Sequence, residues 1–220
     1  MTQPEVETRQ VGPYQVLCHL VICPRTRQAA VIDPGDEPEE LAAWIREQKV
    51  GLRYILNTHG HPDHALGNQR LKELTGAPVA LHRADQEFFA SPAGRDVASR
   101  ELGLEPIPPA DMLLEHGQRL PLGGLEIEVI HTPGHSPGSV CFRVGDHLFT
   151  GDTLFVGAAG RTDLGGASLE ELLRSIEDRI LPLPGHTVIH PGHDYGESPT
   201  STLERERREN IYITDFILEG

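Results

Sequence analysis

The stretch Thr58-His59-Gly60-His61-Pro62-Asp63-His64 carries more chemical information than any other part of this chain. It begins where the strand-like run LRYILNT (52–58) ends, and it leads into the helix-like run ALGNQRLKELTG (65–76). His59 and His61 stand two apart in a loop, so both imidazoles can converge on one cation. Asp63 and His64 follow at the turn into the helix and can face a second cation. Pro62 stiffens the loop, and Gly60 removes a side chain from between two ligands. With 12 histidines and 12 aspartates in 220 residues, the pattern H-x-H-x-D-H arises by chance in roughly two chains per thousand. That rarity argues against a merely solvated polar loop.

Outward from this segment the chain alternates strand and helix. YQVLCHLVI (14–22), AAVID (29–33), PVALH (78–82), LEIEVIH (125–131), SVCFRV (139–144), HLFTGD (147–152) and HTVIHP (186–191) read as strands. Gly145-Asp146 is a two-residue hairpin signal between two of them. Leu41, Trp44 and Ile45 mark a helix over about 38–48, and ADQEFF marks a shorter one. Ser168 and Glu171 form a capping box ahead of an apolar stripe through Leu169, Leu172, Leu173, Ile176 and Ile180. Ser201 with Glu204 caps a charged last helix. Prolines 92, 106, 108, 109 and 121 make residues 91–124 the least regular part. Strands and helices mixed throughout predict one layered α/β domain over 1–220.

Three further ligand candidates sit where strands run out into loops: His135, Asp152 and His193. Each has a glycine immediately before it, which suits a tight turn aiming one side chain inward.

Composition narrows the function classes. The net charge of −14, from 33 acidic and 19 basic residues, argues against nucleic acid as a partner, because phosphate binding needs a concentrated basic surface. No run approaches the roughly 20 apolar residues that span a membrane. The opening MTQPEVETRQ lacks the basic start and apolar middle of a signal peptide, so a cytoplasmic protein is expected. Cys18, Cys23 and Cys141 show no C-x-x-C spacing, which indicates neither a disulfide framework nor a thiolate metal site.

Asp33 in VIDPGD, the 59–64 segment, His135, Asp152 and His193, taken in order, resemble the five motifs of the metallo-β-lactamase superfamily over nearly the whole chain. The resemblance implies a four-layer αβ/βα sandwich with a metal site at one edge. It implies His59, His61 and His135 as ligands of one metal, Asp63, His64 and His193 as ligands of a second, and Asp152 bridging both. Asp63 and Asp152 would also be catalytic. Asp33 would support the ligand loop by hydrogen bonding without touching metal. His19, His82, His116, His131, His147, His186 and His190 fit no ligand pattern and read as structural or surface residues, His131 and His190 lying nearest the site.

Within that superfamily, Gly151-Asp152-Thr153-Leu154-Phe155-Val156 resembles the glyoxalase II branch, the hydroxyacylglutathione hydrolases. This implies a small-molecule thioester or glutathione-type substrate and leaves a homodimer open. The chain departs from the branch in two places. Gly160-Arg161-Thr162-Asp163 stands where a lysine and a tyrosine usually hold glutathione, and no C-terminal helical domain follows the last motif. Arg161 is a candidate for gripping a substrate carboxylate, with an ion pair to Asp163 as its alternative. All seven ligand candidates offer nitrogen or oxygen, which suits zinc first, and iron or manganese too. Two such cations lower the pKa of a shared water toward ~7 and stabilise an oxyanion. A thiolate leaving group, from a thiol of pKa about 8.5, then departs without a protonating acid.

Other readings remain. Gly160–Asp163 and the tail from His193-Asp194-Tyr195 through Arg207 also resemble the persulfide dioxygenases, which implies a single iron on His59, His135 and Asp152. A metal-stabilised module without catalysis is a third reading, but seven ligands exceed the four of a closed structural zinc site. A zinc β-lactamase usually has cysteine at the Asp152 position and an export signal.

Overall fold

The computed structural model describes residues 2–218. Strands β1 (Glu5–Val11) and β2 (Val16–Ile22) form an antiparallel hairpin, and β3 (Gln28–Ile32) pairs antiparallel with β2. Helix α1 (Pro38–Glu47) then crosses to β4 (Gly51–Leu56), which lies parallel to β3. Short helices α2 (Pro62–Ala65) and α3 (Asn68–Thr75) lead to β5 (Val79–His82). Next come α4 (Arg83–Ala90), α5 (Pro92–Asp96), a π-helical turn (Val97–Glu101) and β6 (Met112–Leu114). β5 and β6 continue the parallel pairing, and the six strands lie side by side in chain order.

The second sheet starts as an antiparallel meander of β7 (Arg119–Leu122), β8 (Leu125–His131), β9 (Val140–Val144) and β10 (His147–Gly151). A two-stranded pair, β11 (Leu154–Phe155) and β12 (Ala158–Ala159), follows it. Helix α6 (Leu169–Ser175) and a π-helical turn (Ile176–Ile180) return the chain to β13 (Val188–Pro191), parallel to β10. β14 (Ser201–Thr202) completes the order β14-β13-β10-β9-β8-β7. Helices α7 (Leu203–Glu209) and α8 (Ile211–Ile213) and a last π-helical turn (Thr214–Leu218) end the described chain.

Three apolar layers hold these parts together. Val21, Ala30, Ile32 and Leu56 of the first sheet meet Ile127, Val129, Phe142 and Phe149 of the second in a shared core. On the outer side of the first sheet, Cys18, Leu20 and Ile22 pack on Leu41, Trp44, Ile45 and Leu71 of α1 and α3. Cys141, Leu148 and Ile189 do the same for the second sheet, against Leu172, Ile176, Ile180, Leu203 and Ile213. Burying such a side chain contributes about 1.5–3 kcal/mol, so both sheets need their helical covers. The result is the αβ/βα sandwich that the motif resemblance implied.

Several local readings differ from the structure for identifiable reasons. β1 is a mostly exposed, polar edge strand, so it offers no apolar alternation to read. Pro92 begins a helix instead of interrupting one, since the first helical position tolerates a missing N–H. The expected single helix over 65–76 is two, because the first begins at Pro62 and the chain re-forms a helix after Gly67. The cap of the charged helix α7 is Thr202, which accepts a hydrogen bond from the Arg205 N–H, one residue beyond the expected Ser201. All three cysteines are buried and free. No helix among the described residues is long and apolar enough to cross a membrane.

Candidate metal centre

Strand β4 delivers its chain into the 58–64 loop at the seam between the two sheets. The Thr58 carbonyl accepts a hydrogen bond from the Val140 N–H of β9 at 2.7 Å, which stitches the loop to the opposite sheet. Asn57 donates to the His64 carbonyl at 2.9 Å and closes the loop on itself. Asp33, at the end of β3, supplies the strongest tie. Its Oδ1 accepts the Thr58 N–H at 2.8 Å, its Oδ2 accepts the Thr58 hydroxyl at 2.6 Å, and the same Oδ2 lies 3.1 Å from His64 Nδ1. The Asp33 backbone is left-handed, at φ 51°. Such a conformation costs energy in a non-glycine residue and persists where surrounding bonds fix it.

The second sheet contributes the remaining candidates. His135 lies between β8 and β9, Asp152 directly follows β10, and His193 follows β13. The His193 loop is held by the first sheet, since the Leu17 N–H donates to the Gly192 carbonyl at 2.7 Å. Glycine matters here in different ways. The turn expected before each ligand holds for Gly134, at φ 139°, and for Gly151, at φ 48°. Gly192 has no such backbone; a Cβ there would instead strike Asp152 Oδ1 and His64 Cε1. A Cβ on Gly60 would meet the Phe89 ring and not a ligand, which corrects the reason for that glycine.

All seven candidate ligands meet. His61 Nδ1 and His135 Nε2 lie 2.9 Å apart, and His64 Nε2 and His193 Nε2 3.2 Å apart. Asp63 Oδ2 is 3.7 Å from His64 Nε2 and 3.8 Å from His193 Nε2. Asp152 reaches both groups: Oδ1 is 3.5 Å from His64, and Oδ2 is 3.6 Å from both His135 and His193. Ligand atoms of His59, His61 and His135 fall within 4.8 Å of one another, as do those of Asp63, His64 and His193.

Donor chemistry tests whether cations fit. His135 Nδ1 faces the Arg161 carbonyl at 2.8 Å, and a carbonyl only accepts, so Nδ1 carries the proton and Nε2 presents a lone pair. His59 Nε2 and Asp152 Oδ1 are buried with no hydrogen-bond partner, an arrangement that is costly unless something positive satisfies it. Burial, reinforced by neighbouring imidazoles, holds His59 and His61 well below the usual histidine pKa, and burial pushes His135 down to about 4. These rings are neutral at pH 7, the form in which an imidazole can act as a ligand. Burial would lower His64 too, but Asp152, Asp63 and Asp33 together outweigh it and hold its pKa up to about 10. Burial raises Asp152 to about 7. The carboxylates therefore call for positive charge at this point, and a proton and a metal compete for it. The residues fit two divalent cations.

Two features were absent from the sequence reading. Asp85, fully buried in the first turn of α4, accepts hydrogen bonds from Gly60 N–H (2.7 Å), Ser136 Oγ (2.7 Å) and Gly138 N–H (2.5 Å). Nothing in ADQEFF signals this, because its partners lie 25, 51 and 53 residues away. Tyr195 stacks on His193 at 4.9 Å between ring centroids and is 68% exposed. The Arg161 side chain stands exposed and paired with Asp163, Nε to Oδ1 at 2.6 Å, while its carbonyl orients His135.

Comparison with known proteins agrees with this architecture. The family model of the metallo-beta-lactamase superfamily matches residues 11–193. The chain is 36% identical over 211 residues to the probable metallo-hydrolase YqgX of Bacillus subtilis (strain 168), covering 94% of this chain and 97% of that protein. It is 35% identical over 192 residues to the mitochondrial persulfide dioxygenase ETHE1 of Bos taurus, covering 86% and 68%. The crystal structure of TTHA1623 in a di-iron-bound form superposes with a TM-score of 0.79 at 39% identity, covering 93% of this chain and 98% of that one.

Proposed function

The chain belongs to the metallo-beta-lactamase superfamily, and from that membership we propose a metal-dependent hydrolase of the glyoxalase II type, acting on a small thioester with a glutathione-like thiol carrier. One observation carries the reading: the two oxygens of Asp152 address both sets of histidines at 3.5–3.6 Å, as a shared ligand between two cations must. His59, His61 and His135 would hold one cation and Asp63, His64 and His193 the other. Zinc is the first candidate, and iron or manganese takes the same donors. When bound, two such cations activate water near neutral pH and oppose the charge that develops on the carbonyl oxygen.

The protein's own groups do the rest. The neutral imidazoles of His59, His61 and His135 would fill coordination positions without adding charge, and His64 would do so once a cation takes the place of its proton. Asp63 and Asp152 keep some surface at the mouth, with side chains 14% and 12% exposed, and are placed to take a proton as water attacks the thioester. The thiolate leaves unaided. An apolar wall of Pro13, Tyr14, Leu66 and Leu104 beside Asp63 suits the acyl part, and Arg161 suits a carboxylate on the thiol carrier. The net charge of −14 favours such a substrate over nucleic acid.

The second reading, a persulfide dioxygenase with a single iron on His59, His135 and Asp152, draws on the identity to the Bos taurus enzyme. Elemental analysis paired with two assays separates them. The proposal expects two metals per chain and thiol release from S-lactoylglutathione. One iron per chain, oxygen uptake on glutathione persulfide and no thioester hydrolysis would overturn it.

A further inference from the structure

Asp85 lies outside every ligand motif, yet it is fully buried and its carboxylate accepts three hydrogen bonds. The donors belong to two separate loops. Gly60 N–H sits between His59 and His61, while Ser136 and Gly138 follow His135 directly. One side chain thus ties together the backbones that carry the three histidines of the first ligand set. Among the described residues Asp85 makes no hydrogen bond to Asp63, to His64 or to the His193 loop, and its one bond in the 58–64 loop, at Gly60, lies on the His59–His61 side. Asp33 differs: it bonds His64 and, through the Thr58 hydroxyl, approaches His59 Nδ1, so it serves both sets.

The donor pattern requires a carboxylate. Two oxygens with about four lone-pair sites can accept from all three donors at once. An amide of the same shape has one accepting oxygen, and its NH2 would face a backbone N–H. Phe89, one turn along α4, adds a ring 5.5 Å from that of His61 and closes the same side of the cage.

We infer that Asp85 is a positioning residue that sets the affinity of the His59–His61–His135 cation position and leaves the Asp63–His64–His193 position unaffected. The inference rests on the two-cation reading above. It also divides control between two buried aspartates, because loss of Asp85 leaves the second position intact.

The test measures metal uptake and needs no turnover. His193→Ala leaves only the first set complete, and His61→Ala leaves only the second. Co²⁺ affinity is measured in each background by competition with a chromophoric chelator, with and without Asp85→Asn. The expected result is a fall of about 10–100-fold in the first background, the usual cost of losing an outer partner of metal ligands, and less than about 3-fold in the second. Equal falls in both backgrounds, as general loosening of the fold would give, overturn the inference. So does an unchanged first position. Should Asp85→Asn fail to fold by circular dichroism, Ser136→Ala removes one donor and keeps the carboxylate. A drop of about 2–5-fold confined to the first background then supports the inference, and parity between backgrounds overturns it. If neither background binds Co²⁺ while the unmodified protein does, the two-position reading itself fails and takes the inference with it.

Discussion

His19 offers a quantitative test of how the two sheets are joined beneath the site. Its ring is 2% exposed. Nε2 lies 3.0 Å from the Pro191 carbonyl, and Nδ1 lies 2.9 Å from the Thr8 hydroxyl. The carbonyl fixes the proton on Nε2, so Nδ1 accepts. Burial above all pushes the pKa from its ordinary 6.5 down to about 4, with the Pro191 bond resisting. An unfolded chain takes up a proton on this residue as pH falls through 6.5, whereas the folded chain resists until about 4. The unfolded state binds more protons across that window, so stability falls as pH falls. At 1.36 kcal/mol per pKa unit, acidification from pH 7 to 4.5 should cost about 2 kcal/mol through His19 alone. His19→Gln keeps a donor and an acceptor but cannot titrate. Urea unfolding of metal-free protein at the two pH values should show the variant losing about 2 kcal/mol less than the original chain. Equal losses, within about 0.5 kcal/mol, would refute the claim that this histidine is held neutral in the fold.

Three other outcomes follow from the site. Gly192→Ala places a methyl against Asp152 and His64; it should lower metal affinity at least about 10-fold and destabilise the metal-free protein by about 1–3 kcal/mol, and unchanged cobalt binding would count against the close approach. Stripping metal with a chelator should lower the thermal midpoint by roughly 5–10 °C per cation present at about 100-fold over its Kd, as read by scanning calorimetry. Arg161→Met should raise KM for S-lactoylglutathione about 10-fold with kcat nearly constant, because the His135 partner is a backbone carbonyl that the substitution keeps; a fall in kcat with unchanged KM would remove the side chain from substrate binding.

The seven ligand candidates were legible because the chain spells four of them within six residues and puts the other three, each after a glycine, at strand ends. Strands such as β8 and β9 were legible because their burial alternates or saturates. What escaped lacked either signal. β1 is polar on both faces, and β6 and β7 span only three and four residues in a proline-rich stretch. Asp85 is an ordinary helix residue until the fold carries Gly60 and Ser136 to it. Arg161 contributes through a main-chain oxygen, and no side-chain pattern encodes that.

The seam location of the ligands has a mechanical consequence. Four of them come from the loop after β4, in the first sheet, and three from the ends of strands in the second. A cation seated there would act as a clasp between halves of the molecule that otherwise meet through apolar packing, a few backbone bonds and side-chain ties such as His19 to Pro191 and Asp85 to Ser136. Damage far from any ligand, such as a large-to-small change at Phe142 or Phe149 in the shared core, should therefore surface first as leaky metal retention, before the protein loses its secondary structure.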